Sequence, residues 1–438
     1  MINNKRVGVI SLGCDKNRVD TEKMLAILKT RHVLVNDIGD AQIIIINTCA
    51  FLESSREEAV AEIFSANEYK KDGSAEKIIV TGCLPQKFIA EIFDELVEVD
   101  GFLGVSDYDK ILDVIEGVYA YGRVNSVGAP KGECGTDRVL TTDNHAYLKI
   151  ADGCSNHCTY CLIPYIRGKY RSVDKESLIK EAKKLGMVKE LVLVAQDTAR
   201  YGLDLYENYT LTDLVRELSK IEEIQSIRLL YCYPENVTEQ LINEFKINDK
   251  LIKYIDMPLQ HADDGVLKRM NRKGTGEGYL NLIKRLKEEV NGIAIRSTFI
   301  TGFPGESEEA FNNLVEFIKQ AELFNCGFFK YSREEGTPAY KLDGQIEEKV
   351  KSARYKKLYS VQKKVVQKNL EKLVGSTVSV LAEGFDYDKL VYYGRAYFNA
   401  PEIDGKVYFF SSEETVSGEY YEVLIKEKSG YDLYGERV

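Results

Sequence analysis

Short apolar runs alternate with helix-length amphipathic stretches in the first part of the chain. The runs are rich in β-branched residues and lie at residues 7–12, 43–47 and 78–81. This alternation is typical of an open α/β sheet, in which helices connect buried parallel strands. We therefore predict an N-terminal parallel-sheet domain over residues 1–121.

The pattern then breaks for a short distance. Residues 122–139 contain no clear periodicity and are punctuated by residues that favour turns, namely Gly122, Gly128, Pro130, Gly132 and Gly135. Glycine and proline at this density mark loops, because they interrupt both helices and strands. We predict an interdomain linker over these residues.

A second series of strand-like runs follows the linker. Its six members lie at residues 147–151, 191–195, 227–231, 253–257, 294–301 and 327–331. Repeated strand and helix patterns in this order predict a partial or complete parallel (β/α) barrel. We assign residues 140–370 to this domain, with a long helix over residues 346–373 at its end.

The last part of the chain has a different period. Residues 371–438 alternate tyrosine, valine and phenylalanine with polar residues, and turn pairs such as Asp404-Gly405 interrupt them. Strict alternation with short turns is typical of a small antiparallel β-barrel. The predicted fold class is therefore α/β, with an open parallel sheet, a partial barrel and a small β-barrel in that order.

Composition narrows the functional classes. The 438 residues carry a formal net charge of −10, which argues against a protein that acts mainly by neutralising nucleic-acid phosphates. The longest aliphatic run, residues 43–46, is far too short to span a bilayer, so we expect a cytoplasmic protein without membrane segments. Nine cysteines in such a protein are expected to be metal ligands, catalytic thiols or core residues rather than disulfides.

Three cysteines stand close together directly after the first predicted barrel strand. Cys154, Cys158 and Cys161, the central trio, have the spacing Cx3Cx2C. Three thiolates on one loop can hold three irons of a 4Fe-4S cluster and leave the fourth iron open to a small molecule. A structural zinc site and a redox thiol cluster are the alternatives, but zinc usually needs a fourth ligand, and His157 lies too near its neighbours to serve. We expect His157 to be a solvated loop residue.

Three other cysteines follow successive strands of the N-terminal sheet. Cys14, Cys49 and Cys83, the N-terminal trio, each lie just past the carboxyl end of a predicted strand, where ligands bind in open α/β sheets. Gly13 and Gly82 precede two of them and would allow the backbone to approach closely. Each cysteine alone would be interpreted as a core residue. Together they predict a second cluster site.

The Cx3Cx2C motif in a (β/α) barrel resembles the radical-SAM superfamily. The resemblance implies that the open iron chelates S-adenosylmethionine, which one electron splits to a radical that abstracts hydrogen. It also favours S-adenosylmethionine contacts in the segment Thr301-Gly-Phe-Pro-Gly-Glu306, although a tight turn or helix cap would explain such residues as well. The candidate contacts are Tyr160 for the adenine, Gln196 at the end of the second barrel strand, and Gly302, Pro304 and Gly305.

The two trios and the terminal barrel together resemble the methylthiotransferases over essentially the whole chain. The resemblance implies two 4Fe-4S clusters, the N-terminal one presenting sulfur, and two molecules of S-adenosylmethionine, together with a low-potential electron donor and a sulfur carrier. Residues 228–234, 254–261 and 394–405 are similar to the RimO family. That branch modifies the β-carbon of an aspartate on the twelfth small-subunit ribosomal protein. The alternatives are a tRNA adenosine methylthiotransferase and, in another class, an iron-sulfur redox-sensing regulator.

Local charge favours the ribosomal-protein branch. Residues 371–438 contain 13 acidic and 7 basic side chains, which suits a basic protein partner better than tRNA. In contrast, residues 346–372 carry 9 basic and 3 acidic side chains and predict a basic helix, which is either a solvated face or a contact with ribosomal RNA.

The remaining candidate residues do not belong to a common sequence motif. We expect Cys134, Cys232 and Cys326 to be structural. His261, at a predicted strand end, and Asp256, within that strand, could face the active site or serve the core.

Overall fold

The computed structural model describes residues 2–132, 135 and 137–438. Its N-terminal domain is a six-stranded, all-parallel sheet with strand order β2-β1-β3-β4-β5-β6. The strands are β1 Arg6–Ser11, β2 Val33–Leu34, β3 Ile43–Thr48, β4 Lys77–Gly82, β5 Gly101–Leu103 and β6 Val124–Ser126. The helices are α1 Asp15–Leu28, α2 Glu53–Lys71, α3 Cys83–Glu95 and α4 Ile111–Ala120. All six residues of β3 are buried, as expected for a central strand covered by helices on both faces.

The strand order creates a crevice at one point of the sheet edge. From β1 the chain crosses to β2 on one side, whereas β3, β4, β5 and β6 follow on the other side. In open α/β sheets, ligands bind where the order reverses in this way, outside the carboxyl ends of the strands. That point lies between β1 and β3.

The predicted linker is shorter than expected. β6 lies within residues 122–139 and pairs in parallel with β5, so the N-terminal sheet extends past residue 121. This strand has three residues and little apolar content, which is why the sequence pattern does not reveal it.

The central domain is a partial parallel barrel, as predicted. Its sheet has the order β14-β13-β12-β11-β10-β7 and is not closed, and a two-stranded ribbon of β8 and β9 lies beside it. The strands are β7 His145–Lys149, β8 Ala151–Asp152, β9 Arg171–Ser172, β10 Glu190–Val194, β11 Ile227–Leu229, β12 Leu251–Gln260, β13 Ala294–Thr301 and β14 Asn325–Lys330. The helices are α5 Ile163–Ile166, α6 Lys175–Lys184, α7 Leu211–Ser219, α8 Glu239–Ile247, α9 Asp264–Arg269, α10 Gly276–Glu289, α11 Glu308–Ala321 and α12 Glu348–Glu371.

The C-terminal domain is a closed five-stranded barrel. Its strands, in the order β15-β16-β17-β19-β18, are β15 Thr377–Asp386, β16 Val391–Arg395, β17 Val407–Phe410, β18 Tyr420–Ser429 and β19 Asp432–Arg437. All neighbouring pairs are antiparallel except β17 and β19, which are parallel. The predicted small β-barrel is therefore confirmed, with one parallel pair among its antiparallel ones. Directions cannot alternate around a ring with an odd number of strands, so one pair must be parallel.

The three domains pack against one another. One face of the central sheet packs on its helices, while Tyr147, Val192 and Tyr254 on the other face contact the core of the C-terminal barrel. The Tyr254 hydroxyl donates to Asp404 Oδ2 (2.8 Å), and Arg228 Nη1 donates to the Tyr397 carbonyl (2.8 Å). The segment between β16 and β17 therefore fills the inner side of the partial barrel.

Among the described residues, no helix is both long enough and apolar enough to cross a membrane.

Candidate active site between two cysteine trios

The central trio lies on the loop that follows β8, on the side of the barrel sheet where its strands end. The Cys154 amide donates to the Gly168 carbonyl (3.0 Å), the Cys161 amide donates to the Cys158 carbonyl (3.1 Å), and the Ile163 amide donates to Cys161 Sγ (3.4 Å). All three thiols are partly exposed. These hydrogen bonds fix the backbone of the loop, and Cys158 Sγ lies 3.8 Å from the Tyr233 hydroxyl group, which follows β11.

A buried carboxylate also holds this loop. Asp197, directly after Gln196, accepts hydrogen bonds from the side-chain amides of Asn156 (3.1 Å) and Asn236 (2.9 Å). Burial raises the pKa of Asp197 to about 6. The sequence placed this segment at the barrel mouth but did not reveal that Asp197 positions the Cx3Cx2C loop.

The donor set of the central trio fits a cluster better than a single ion. Burial raises the pKa of the Cys154 thiol to about 11 and also raises that of Cys161, so both thiols need a bound metal to ionise near neutral pH. Within the described residues, no three His, Cys, Asp or Glu side chains are grouped closely enough to share one metal ion. A cubane offers a separate iron to each of three thiolates, whereas tetrahedral zinc usually needs a fourth ligand.

The N-terminal trio lies at the crevice of the parallel sheet. Cys14 precedes α1, Cys49 follows β3, and Cys83 is the first residue of α3. The backbones around the first two approach closely, since a Cβ added at Gly13 would lie 3.5 Å from Cys49 Sγ. The structure therefore brings these distant cysteines to one edge of the sheet, as parallel-strand geometry requires.

Asn17 and Gly82 shape the N-terminal trio. Asn17 Nδ2 donates to the carbonyls of Leu12 (3.2 Å) and Thr48 (3.0 Å), which ties together the segments on either side of the crevice. Gly82 has φ +97°, and a Cβ there would lie 2.4 Å from Asn47 Oδ1 and 2.5 Å from the Thr48 carbonyl oxygen. Only glycine fits at that position.

Cys83 is the most buried of the six thiols. Its sulfur lies 3.8 Å from Asn17 Oδ1 and 4.0 Å from Arg167 Nη2. Burial raises the pKa of the Cys83 thiol to about 12, and the guanidinium opposes this rise. Arg167 belongs to the central domain and follows Cys161 by six residues, so the segment that carries the central trio contacts the N-terminal trio across the domain boundary.

Two further residues that the sequence did not single out lie at this boundary. Lys16 Nζ lies 3.3 Å from the ring centroid of Tyr231, and Tyr231 follows β11. Tyr231 has φ +59°, which is unusual and strained for an aromatic residue. Its amide donates to Asp256 Oδ2 (3.2 Å), and Arg296 Nη1 donates to Asp256 Oδ1 (2.9 Å), so Asp256 makes polar contacts inside the barrel.

The glycines proposed to contact S-adenosylmethionine are closely packed by protein. A Cβ at Gly302 would lie 2.3 Å from Lys351 Cγ, and one at Gly305 would lie 2.8 Å from Arg269 Nε. Arg269 Nε also donates to the Pro304 carbonyl (2.9 Å). These contacts explain both glycines as parts of a tight turn, and the role of this turn in ligand binding stays a prediction.

Tyr160 and Gln196 lie at the mouth of the barrel. Tyr160 packs edge-on against Phe303, with ring centroids 6.4 Å apart. Gln196 Nε2 donates to Asp152 Oδ1 (3.0 Å), and its Oε1 is buried without a hydrogen-bond partner among the described residues. An unpaired buried acceptor next to Asp152 is compatible with a ligand contact, and this assignment also stays a prediction.

The other isolated candidates have different environments. His261 is fully buried, its Nδ1 accepts the Asp263 amide (3.0 Å), and burial lowers its pKa to about 3. Cys232 is also fully buried, whereas Cys326 lines a surface cavity, and Cys134 lies outside the described residues. His157 is exposed, as expected.

Part of the basic helix is engaged within the chain. On α12, Lys351 Nζ donates to the Tyr331 carbonyl (2.8 Å), Arg354 pairs with Glu306 (3.1 Å), and Lys368 pairs with Glu322. Lys351 and Arg354 are buried. The other basic side chains of the helix are exposed, and the choice between a solvated face and a contact with ribosomal RNA stays a prediction. They are Lys349, Lys356, Lys357, Lys363, Lys364 and Lys372.

Comparisons with known proteins agree with this architecture. Family models match in three places: the Radical SAM superfamily at residues 148–318, the uncharacterized protein family UPF0004 at residues 6–104 and the TRAM domain at residues 374–438. A ribosomal protein uS12 methylthiotransferase RimO of Clostridium kluyveri is 46% identical over 436 residues, covering 98% of this chain and 97% of the relative. A ribosomal protein uS12 methylthiotransferase RimO of Thermoanaerobacter sp. is 46% identical over 443 residues, covering 99% of this chain and 100% of the relative.

Solved structures show a similar fold. The cobalamin-dependent S-adenosylmethionine radical enzyme OxsB, with aqua-cobalamin and S-adenosylmethionine bound, superposes with a TM-score of 0.53 at 14% sequence identity. The superposition covers 83% of this chain and 56% of OxsB. At this identity the likeness concerns the fold alone.

Proposed function

The chain belongs to the RimO family of ribosomal protein uS12 methylthiotransferases, and on this premise we propose that it inserts a methylthio group at the β-carbon of an aspartate of uS12. The observation that carries the proposal is a contact across the domain boundary: Arg167, six residues after Cys161 of the central trio, lies 4.0 Å from Cys83 of the N-terminal trio. A substrate side chain held at this boundary would be within reach of both cofactor sites.

The radical-SAM domain implies one 4Fe-4S cluster and S-adenosylmethionine. We propose that Cys154, Cys158 and Cys161 hold that cluster. A second 4Fe-4S cluster on Cys14, Cys49 and Cys83 is our further proposal, supported by their convergence at the sheet crevice and by the glycines beside two of them. When bound, these groups would supply the radical, the sulfur and the methyl group, with electrons from a low-potential donor and sulfur from a carrier.

The chain's own residues bind, orient and shield these groups. Asp197 and Asn156 fix the central loop, and Asn17 fixes the N-terminal crevice. Tyr231 closes part of the boundary between them, held in its strained conformation beneath Lys16. Rigid positioning of this kind matters because a radical reacts with whatever C–H bond is nearest.

Access for a polypeptide is compatible with the shape of the molecule. A surface cavity of about 1070 Å³ is lined by all three domains: residues 52–54 and 57 after Cys49, the edge strand β14, helix α12 and residues 403–405 of the C-terminal barrel. The C-terminal domain carries 13 acidic and 7 basic side chains, which suits a basic ribosomal protein. We propose that uS12 approaches along this side.

The test is mass spectrometry after anaerobic incubation of the reconstituted protein with S-adenosylmethionine, sulfide, reductant, ribosomal protein uS12 and unmodified tRNA. A methylthio group on a uS12 aspartate is the expected product. Modification of tRNA adenosine alone would overturn the substrate assignment. Iron analysis of the same sample should give about eight irons per chain if two cubane clusters form, whereas about four would refute the second cluster.

A further inference from the structure

Arg167 stands between the two cysteine trios. It follows Cys161 by six residues and comes directly after the short helix α5. Its side chain is 1% exposed, although arginine is seldom fully buried. A guanidinium removed from water in this way must be compensated by fixed partners.

The two ends of the guanidinium contact different domains. Nη1 donates to both carboxylate oxygens of Asp152 in the central domain (3.1 and 3.0 Å). Nη2 donates to Asn17 Oδ1 (2.6 Å) and to Asp20 Oδ2 (3.2 Å) in the N-terminal domain. The planar fork of arginine makes this two-sided contact possible, and lysine could not reproduce all of it.

Nη2 also reaches a sulfur. It lies 4.0 Å from Cys83 Sγ, and the Asn17 amide group that it contacts lies 3.8 Å from the same sulfur. Lys149 is buried nearby and also pairs with Asp20 and Asp152, so the two carboxylates are shared by two cations. Among these charged groups, the structure places the guanidinium of Arg167 in contact with the thiol.

A positive charge beside a cluster ligand has a definite effect. Reduction adds one negative charge to an iron-sulfur cluster, and a buried cation at a ligand sulfur stabilises that charge. Groups that contact a metal ligand without binding the metal also change the reduction potential of the site. The reduction potential of a cluster on Cys83 should therefore depend on Arg167.

We propose that Arg167 is a positioning residue that couples the two trios: it orients Cys83 from the central domain and raises the reduction potential of the N-terminal cluster. The inference rests on the proposed function, because it requires that the N-terminal trio holds a cluster. It assigns to Arg167 a role beyond joining two domains.

The experiment isolates the N-terminal cluster in the full chain. In the triple variant Cys154→Ala, Cys158→Ala and Cys161→Ala, the central trio can bind no iron, so a redox titration followed by electron paramagnetic resonance reports the N-terminal cluster alone. Adding Arg167→Met should lower the ratio of reduced to oxidised cluster at least tenfold at a given potential, a shift of about 59 mV for one electron. Arg167→Lys keeps the charge and should restore at least half of this shift.

Arg138 provides a matched control. Its side chain is also 1% exposed and also joins the domains, since it pairs with Glu22 of α1 and with Glu181 of α6 (2.9 Å). No cysteine is among its hydrogen-bond or ion-pair partners in the described part of the chain. Arg138→Met should leave the potential unchanged. An equal shift in both variants, or none in Arg167→Met, would overturn the proposal.

Two further measurements distinguish an effect of Arg167 on the reduction potential from misfolding and from absence of the N-terminal cluster. If Arg167→Met does not fold, as judged by circular dichroism and gel filtration, Arg167→Gln with Asp152→Asn leaves no unpaired buried charge, and its potential should shift in the same direction. An unshifted potential in that folded variant would overturn the proposal. Absence of iron from the triple variant with Arg167 in place would instead refute the N-terminal cluster, and this inference with it.

Discussion

The side-chain amide of Asn17 donates to the Thr48 carbonyl at 3.0 Å, and this bond joins the segment after Cys14 to the segment before Cys49. The same amide group also donates to the Leu12 carbonyl (3.2 Å) and accepts from Arg167 Nη2 (2.6 Å). One buried asparagine thus connects both sides of the sheet crevice with the central domain.

Replacing Asn17 by alanine should impair the N-terminal trio selectively. The change leaves buried carbonyls unpaired, at a cost of about 1–3 kcal/mol for each group. We expect bound iron to fall from about eight to about four per chain, while reductive cleavage of S-adenosylmethionine by the central trio continues. Asn313→Ala is the control, since the Asn313 side-chain amide makes an exposed hydrogen bond to Asp263, a residue that belongs to neither trio. Full iron content in Asn17→Ala would contradict this role.

Substitutions in the two trios should affect different steps of the reaction. Alanine at any one of Cys154, Cys158 or Cys161 should abolish cleavage of S-adenosylmethionine, because each thiolate holds one iron of the cluster that binds it. Alanine at Cys14, Cys49 or Cys83 should spare cleavage and stop sulfur insertion, as measured by mass spectrometry of uS12. Cys232→Ala, at a buried cysteine outside both trios, should retain both activities. Sulfur insertion by the Cys14 variant would refute the division of labour.

Gly82→Ala should destabilise the N-terminal domain strongly. The new Cβ would lie 2.5 Å from the Thr48 carbonyl oxygen, in a backbone conformation with φ +97° that alanine rarely adopts. We expect a loss of more than about 3 kcal/mol in the free energy of unfolding, measured by urea denaturation. Gly73 has φ +87° but no atom within 4 Å of the added Cβ, so Gly73→Ala should cost only about 1 kcal/mol. Equal losses would show that crowding at Gly82 is unimportant.

Acid should weaken the fold through His145. Burial, followed by the charge of Arg395, lowers the pKa of His145 to about 4 from its ordinary value of 6.5. The unfolded chain therefore takes up the proton first, and stability that is present above pH 6.5 is lost as the pH falls towards 4. The loss amounts to roughly 3 kcal/mol, since one pKa unit corresponds to about 1.4 kcal/mol.

His145→Gln should reduce this acid sensitivity, as measured by denaturation at a series of pH values. His157→Asn is the control, because His157 is exposed and asparagine tolerates its φ of +51°. The His157→Asn variant should lose stability with falling pH as the unchanged chain does. If His145→Gln loses as much stability as His157→Asn, His145 is not the cause of the acid sensitivity.

The sequence by itself determined most of the strands and helices, and it singled out the six cysteines as candidate cluster ligands. Hydrophobic periodicity is a local property, so it located strands such as residues 43–47 and 294–301 to within a residue or two. Parallel strands place their carboxyl ends at one edge, and therefore the positions of Cys14, Cys49 and Cys83 in the pattern predicted that they converge. The short strand β6 escaped prediction because three largely polar residues carry no period.

Only the tertiary structure decided which distant side chains meet. Arg167 reaches Cys83, and Lys16 lies over Tyr231, because separate domains pack there, and no local pattern encodes such a contact. The glycines at 302 and 305 illustrate the same limit: their spacing suits a ligand as well as a tight turn, whereas the positions of Lys351 and Arg269 show what occupies the space. Periodicity fixes which residues face a core, but the partner across a domain boundary depends on the packing of the whole chain.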